Sequence, residues 1–253
     1  MVCIHFTKSL IALNGDASLL VAIFIRINFY TLGFTISNDL IDDLITLFVG
    51  WSDGSTYTKL AIMPALLLAF LWSLPVRRSL LALLGSVAIV FSWLGDALLE
   101  TPGDSGFLLG LGSFLLAHVT YLVLFAWPMR RGTVPWAALV YAGWWFALVS
   151  ILAPHIGTLL VPVAAYGLVI ALAAAAALGT NRFTAIGASL FLISDTILAF
   201  RLFYPDFEFW QMNFIIMVFY ILGQGLIVLG AVLHARNELG VSRASTAQAT
   251  PAS

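Results

Sequence analysis

Charge is what this chain has least of. Only 9% of its 253 residues are Asp, Glu, Lys or Arg, against 62% that are hydrophobic, whereas a soluble domain carries about 25% charged residues. Mean hydropathy is +1.04, which excludes an ordinary water-soluble fold and leaves a polytopic membrane protein. The net charge of −1 gives no basic surface for nucleic acid and no strong field for an acidic partner. A single cysteine, Cys3, rules out an internal disulfide framework and a cysteine-based metal site. The histidines His5, His118, His155 and His234 have no metal-ligand spacing; His155 reads as a loop residue. There is no G-x-S-x-G nucleophile elbow and no phosphate-cradling P-loop.

What the chain does have is long apolar runs. A spanning helix needs about 20 predominantly apolar residues, with polar clusters, proline or glycine at the turns. Spans are expected near 18–36, 60–75, 79–99, 106–127, 134–152, 158–178, 184–203 and 212–234. The fold class is therefore an all-α membrane bundle of about eight transmembrane helices. Arg26 and Asn28 lie near the centre of the first run, where a buried arginine is costly. Asn14, Gly15 and Asp16 interrupt the opening and no A-x-A-like site follows, so the N-terminus is read as uncleaved. Three regions are expected: residues 1–56 as an N-terminal span and acidic external loop, 57–236 as the helical bundle, and 237–253 as a disordered cytoplasmic tail.

Orientation follows the basic residues. Lys8 precedes the first run; Arg77, Arg78, Arg130, Arg131, Arg182, Arg236 and Arg243 fall in every second connection. The alternate connections carry Asp39, Asp42, Asp43, Asp53, Glu100, Asp104, Asp206 and Glu208 instead. Both termini are accordingly expected in the cytoplasm, in an inner or plasma membrane.

Against this apolar background, FSWLGDALLE at 91–100 places Asp96 inside a span, and FLISDTILAF at 191–200 places Asp195 inside another. At a rise of 1.5 Å per residue, Asp96 sits ~6 Å and Asp195 ~9 Å below the external end. Lys59 opens one span at the same end, and His118 and Tyr121, three residues apart, share a helix face. An ionisable group in a span is a functional-site hypothesis by default. Two aspartates in a low-dielectric site separate into one that holds a proton and one that is ionised. That pair suits acid–base chemistry, one donating a proton while the other activates water. Lys59 or Arg201 can hold a phosphate or keep the ionised partner charged. The bland alternative is structural: aspartates in spans also accept hydrogen bonds that hold helices together, and an isolated histidine is more often packed than reactive. Glu100, one turn beyond Asp96, reads as a solvated helix end.

Four segments in order, YTKLAIMPALLL, FSWLGDALLE, GSFLLAHVTYLVLF and GASLFLISDTILAF, resemble the YhhN family of integral membrane proteins, which includes the lysoplasmalogenases. The resemblance runs from about Tyr57 to Arg201, with the last helix fitting by length only. Leu60 follows Lys59 where the family usually has proline, and Arg26 is unexpected. The resemblance implies an eight-helix fold with both ends on one side. It implies hydrolysis of the vinyl ether bond of lysoplasmalogens to a fatty aldehyde and glycerophosphocholine or glycerophosphoethanolamine, with neither a metal nor an organic cofactor. It also implies roles for Lys59, Asp96, His118, Tyr121, Ser194 and Asp195. Asp96 and Asp195 are the expected catalytic pair; Lys59, His118, Tyr121, Ser194 and Arg201 are the expected substrate-binding set. The implied partners are a lysophospholipid and the bilayer, with homo-oligomerisation left open. The competing class is a proton-coupled transporter or permease using the same aspartates, but such a site is expected nearer the membrane midplane.

Overall fold

The computed structural model describes residues 54–209 and 212–248. Seven α-helices follow one another: α1 Gly54–Ser73, α2 Leu80–Leu99, α3 Asp104–Ala126, α4 Leu139–Ile156, α5 Leu160–Ala177, α6 Arg182–Phe203 and α7 Met212–Gln248. Among the described residues there is no strand. The expected span at 18–36 and nearly all of the acidic loop after it lie outside them.

The stretches Leu80–Leu99, Ser105–Ala126, Arg182–Phe203 and Met212–Leu239 are each long and apolar enough to cross a membrane, as is the continuous 42-residue stretch Trp136–Ala177. The last is too long for one crossing at about 1.5 Å per residue. It folds back at Gly157, whose backbone (φ 62°, ψ −129°) suits glycine and strains other residues. The Trp145 indole N–H then donates to the Ala164 carbonyl across the hairpin at 2.8 Å. His155 belongs to the last turn of α4 rather than to a loop, and its ring lies 5.1 Å from that of Tyr204. The apolar part of α1, Ile62–Ser73, is shorter than a full span. Polar Thr56, Thr58 and Lys59 occupy its first turns.

Side-chain caps start two of the helices. Ser79 accepts from the Ala82 amide, and Asn181 accepts from the amides of Phe183 and Thr184, satisfying donors that a first turn leaves open. α7 continues through Gln248, so the tail expected to be disordered from residue 237 is helical over its first part. Glu238, Leu239, Arg243, Ala244, Ala247 and Gln248 include many good helix formers, and proline does not occur until Pro251.

Five helices close into a ring: α2 packs on α3, α3 on α5, α5 on α6, α6 on α7, and α7 on α2. α1 lies outside against α2 and α7; α4 lies outside against α5 and α6. The tightest crossing is α6 on α7, where a Cβ on Gly187 would stand 2.7 Å from the Gly223 carbonyl oxygen. Small residues permit such approach where lipid gives no hydrophobic drive to association. Buried Ile89, Tyr121, Phe125, Phe191 and Val232 fill the ring's middle and one end, with buried Phe70 of α1 in the same apolar cluster.

At that end the connections are tied together. The Arg131 amide donates to the Gly179 carbonyl, and its Nε donates to Nδ1 of buried His234 at 3.1 Å. Arg236 donates to the Ser73 carbonyl. Arginines from separate connections thus gather at one end of the bundle. Among the described residues, the acidic connections with Glu100 and Asp104 and with Asp206 and Glu208 lie at the other.

Candidate active site

The buried stripe of α2 runs Gly85, Ala88, Ile89, Ser92, Gly95, Asp96, the 3–4 spacing of one helix face. Asp96 is the last buried residue of that stripe, and Glu100, one turn on, continues it into the exposed mouth. α6 presents Ser194, Asp195, Leu198 and Arg201 from its C-terminal half in the same way. Both stripes end at a cavity of about 320 Å³ in the opposite end of the ring from the arginines of the connections, the low end of the range for ligand sites.

All five ring helices line this cavity: α2 through Asp96 and Glu100, α3 through Phe114, α5 through Tyr166, α6 through Asp195 and Arg201, α7 through Asn213 and Tyr220. The structure thus brings the two sequence-identified aspartates to one chamber. Each is held by a tyrosine from a neighbouring helix. Tyr220 donates its hydroxyl to Asp96 Oδ2 at 2.8 Å, and Tyr166 donates to Asp195 Oδ2. Asp96 is buried and Asp195 half-buried. Arg201 is exposed at the rim of the cavity. Glu100, exposed at the end of α2, also lines the cavity mouth.

The other sequence-identified residues divide. Ser194 borders the cavity, but its hydroxyl donates to the Ile216 carbonyl of α7 at 2.9 Å. His118 and Tyr121 do not line it. His118 is buried, with Nδ1 2.8 Å from the Phe114 carbonyl oxygen and its ring edge-on to Phe191 and Tyr166. It backs the site as a packing residue. Tyr121 donates to Gln224 Oε1 at 2.5 Å, and Gln224 Nε2 donates to Ser92 at 3.0 Å. This polar network ties α2, α3 and α7 beneath the cavity. Lys59 belongs to α1 by its backbone, and its side chain lies outside the described residues.

Sequence reasoning missed Tyr166, Tyr220 and Gln224. Tyrosine and glutamine in a span look like interface belts or ordinary packing unless the facing helix is known. One signal was available: Gln224 is the lone side-chain amide in the apolar core of the last run, where an unpaired one is costly. Among the described residues no three of histidine, cysteine, aspartate and glutamate are grouped to hold a metal ion.

A ring of apolar helices around an aspartate-bearing chamber at one end defines an integral membrane protein. Residues 54–231 match the model of the YhhN family. The human lysoplasmalogenase TMEM86B is 31% identical over 172 residues, covering 67% of this chain and 73% of that protein. Lysoplasmalogenase TMEM86B of Rattus norvegicus is 32% identical over 167 residues, covering 66% and 68%. No solved structure matches. The chain belongs to the YhhN family, and the match extends past Arg201 to take in most of α7, including Tyr220 and Gln224.

Proposed function

We propose that this protein is a lysoplasmalogenase-type hydrolase that cleaves the vinyl ether bond of a lysoplasmalogen to a fatty aldehyde and a glycerophospho head group. The observation that carries the reading is the pair of tyrosine-held aspartates on different helices of one cavity, in a chain whose curated relatives are lysoplasmalogenases.

The chemistry runs as follows. A protonated carboxyl transfers its proton to the vinylic carbon remote from the ether oxygen, and the π electrons form the new C–H bond. The cation that results is shared between the adjacent carbon and the ether oxygen. An ionised carboxylate stabilises that charge, then takes a proton from water as the water oxygen bonds to carbon. In the hemiacetal's collapse the carbon–oxygen bond to glycerol breaks. The glycerol oxygen receives the second aspartate's proton, and the hemiacetal hydroxyl returns its proton to the first. Both carboxyls regain their starting states, with one water consumed. Asp96 and Asp195 are the proposed pair, Tyr220 and Tyr166 position them, and Arg201 with Lys59 meets the phosphate. His118, Tyr121 and Ser194 support the site from behind.

The cavity's place at one end favours a site reached from one side over a path through the bundle. A transporter's aspartates require access from both faces, and here the middle and opposite end of the ring are filled by Tyr121, Phe125, Phe191 and their neighbours. The topology that goes with this reading is eight spans with both termini in the cytoplasm of an inner or plasma membrane, the cavity opening toward the outer leaflet.

The test is aldehyde release from lysoplasmenylethanolamine and lysoplasmenylcholine by the purified protein. Wild type should release aldehyde, while Asp96→Asn and Asp195→Asn, monodisperse in detergent, should lose at least a thousandfold in kcat, a loss of about 4 kcal/mol of transition-state stabilisation. Release undiminished in both variants would sink the reading.

A further inference from the structure

A lysolipid has a polar end and a long hydrocarbon chain, and the charged groups that suit the first, Asp96, Glu100, Asp195 and Arg201, line the 320 Å³ chamber among apolar residues such as Leu99, Phe114, Ile216 and Met217. Beside it lies a second cavity of about 50 Å³ that shares Leu99, Phe114, Tyr166, Asp195 and Leu198 with the chamber. Its remaining wall is wholly apolar: Phe107 and Leu111 from α3, Val163 from α5, Ala199, Leu202 and Phe203 from α6. α3 and α6 make no close backbone approach; α5 packs against both and floors the gap between them. The seam is closed by side chains: Phe107 and Phe203 meet edge-on across it at 6.0 Å, and Leu148, Leu152 and Ile156 of α4 form one apolar cluster with Leu111, Val163, Ala199 and Phe203.

We infer that this α3–α6 seam seats the hydrocarbon chain of the substrate, the Phe107–Phe203 pair parting to admit it. The inference rests on the lysolipid reading. Polar chamber and apolar seam meet at Asp195 and Tyr166, and a lysoplasmalogen's vinyl ether lies at the matching junction, between head group and chain. A molecule laid with its head toward Arg201 and its chain in the seam brings the vinylic carbons to Asp195. Asp195 is then the aspartate that protonates carbon, and Asp96, on the head-group side, is the one that handles water. Ala199 is the small residue in the wall, so its size sets how much chain fits beside the catalytic carboxyl.

Two measurements test this. The first is kcat/KM for aldehyde release over a series of lysoplasmenylethanolamines of increasing chain length. Ala199→Phe fills the seam and should lower kcat/KM for long chains at least tenfold more than for short ones. Phe203→Ala opens the seam and should move the optimum toward longer or bulkier chains. Aldehyde release with an unchanged chain-length profile in both variants overturns the seat and leaves the activity standing. The second needs no turnover: a lysophosphatidylethanolamine carrying a diazirine near its chain terminus is photolysed on the wild-type protein, and the labelled peptides are sequenced. Labels on α3 around Phe107 and Leu111 and on α6 around Phe203 support the seat, whether or not aldehyde is released. Labels confined to another seam, or none displaced by unlabelled lysolipid, overturn it.

Discussion

Replacing Tyr220 with phenylalanine removes one oxygen and little else. The ring is buried and packs edge-on against Phe114 and Phe191 at 6.3 and 5.2 Å, contacts that phenylalanine keeps. What is lost is the 2.8 Å hydrogen bond to Asp96. In membrane proteins such bonds contribute on average only about 0.6 kcal/mol to stability, with about 1.7 as the upper end, so the variant should fold and its thermal midpoint should fall only slightly. Catalysis draws on a different quantity. A hydrogen bond to a charged group is worth about 1.5–3 kcal/mol when its geometry is held, and each 1.4 kcal/mol is about tenfold in rate. If Tyr220 holds Asp96 in the orientation its proton transfer needs, kcat should fall about 10- to 100-fold. KM should stay within about twofold, because the tyrosine oxygen acts through Asp96 rather than on bound substrate. The assay is steady-state aldehyde release, with the folded fraction measured by size exclusion. A Tyr220→Phe enzyme with wild-type kcat, beside an inactive Asp96→Asn, would show that Asp96 works without its tyrosine and refute the positioning role.

Four further outcomes follow from named contacts. Gln224→Leu strands the buried hydroxyls of Tyr121 and Ser92 and should cost about 1–3 kcal/mol, the cost of leaving a buried polar group unsatisfied, read as a lower denaturation midpoint in detergent; adding Tyr121→Phe should restore part of it, and an unchanged midpoint would mean the network holds nothing. Gly223→Ala sets a Cβ 2.9 Å from the Gly187 carbonyl oxygen and the Phe191 nitrogen; backbone cannot yield cheaply, so a loss of about 1–3 kcal/mol is expected, and wild-type thermal stability would contradict the close crossing. Gly95→Ala meets the Phe114 ring at 2.5 Å; a side chain can swing, here toward the cavity it lines, so kcat/KM should drop with a smaller stability loss than Gly223→Ala, and the reverse order would be wrong for this geometry. Arg201→Gln should raise KM a few-fold with kcat nearly unchanged, as expected for an exposed charge worth about 1 kcal/mol to a phosphate; equal loss in kcat would move Arg201 from binding to chemistry.

Residues that break an apolar pattern were legible in the sequence. Asp96 and Asp195 stood out because a carboxylate in a span must be compensated, and the cavity contains both. Arg77, Arg131, Arg182 and Arg236 marked one set of connections because loops on one side of a membrane share a charge bias. Helix boundaries of α2, α3, α5 and α6 followed the run lengths to within a few residues, whereas α4 starts and ends a turn or so later than expected and α7 runs on to Gln248, well past the expected end at 234. His118 and Tyr121 were legible as polar residues on one face but not in their use, since a helix face does not say which neighbour it meets. The helical start of the C-terminal tail was hidden because polar composition was read as disorder although its helix propensity is good.

Composition and periodicity by themselves determined that this chain enters a membrane, that it does so as helices, and that carboxylates lie inside two of them. In hydrocarbon a backbone must satisfy its own hydrogen bonds, so local sequence suffices to set such elements. Only the tertiary structure decided which side chains face one another. The closing of α2, α3, α5, α6 and α7 into a ring, the tyrosine that meets each aspartate, and the side-chain-closed seam between α3 and α6 all depend on contacts between residues far apart in the chain. Those contacts are set by close packing, at glycines such as Gly187 and Gly223, and packing has no one-dimensional signature.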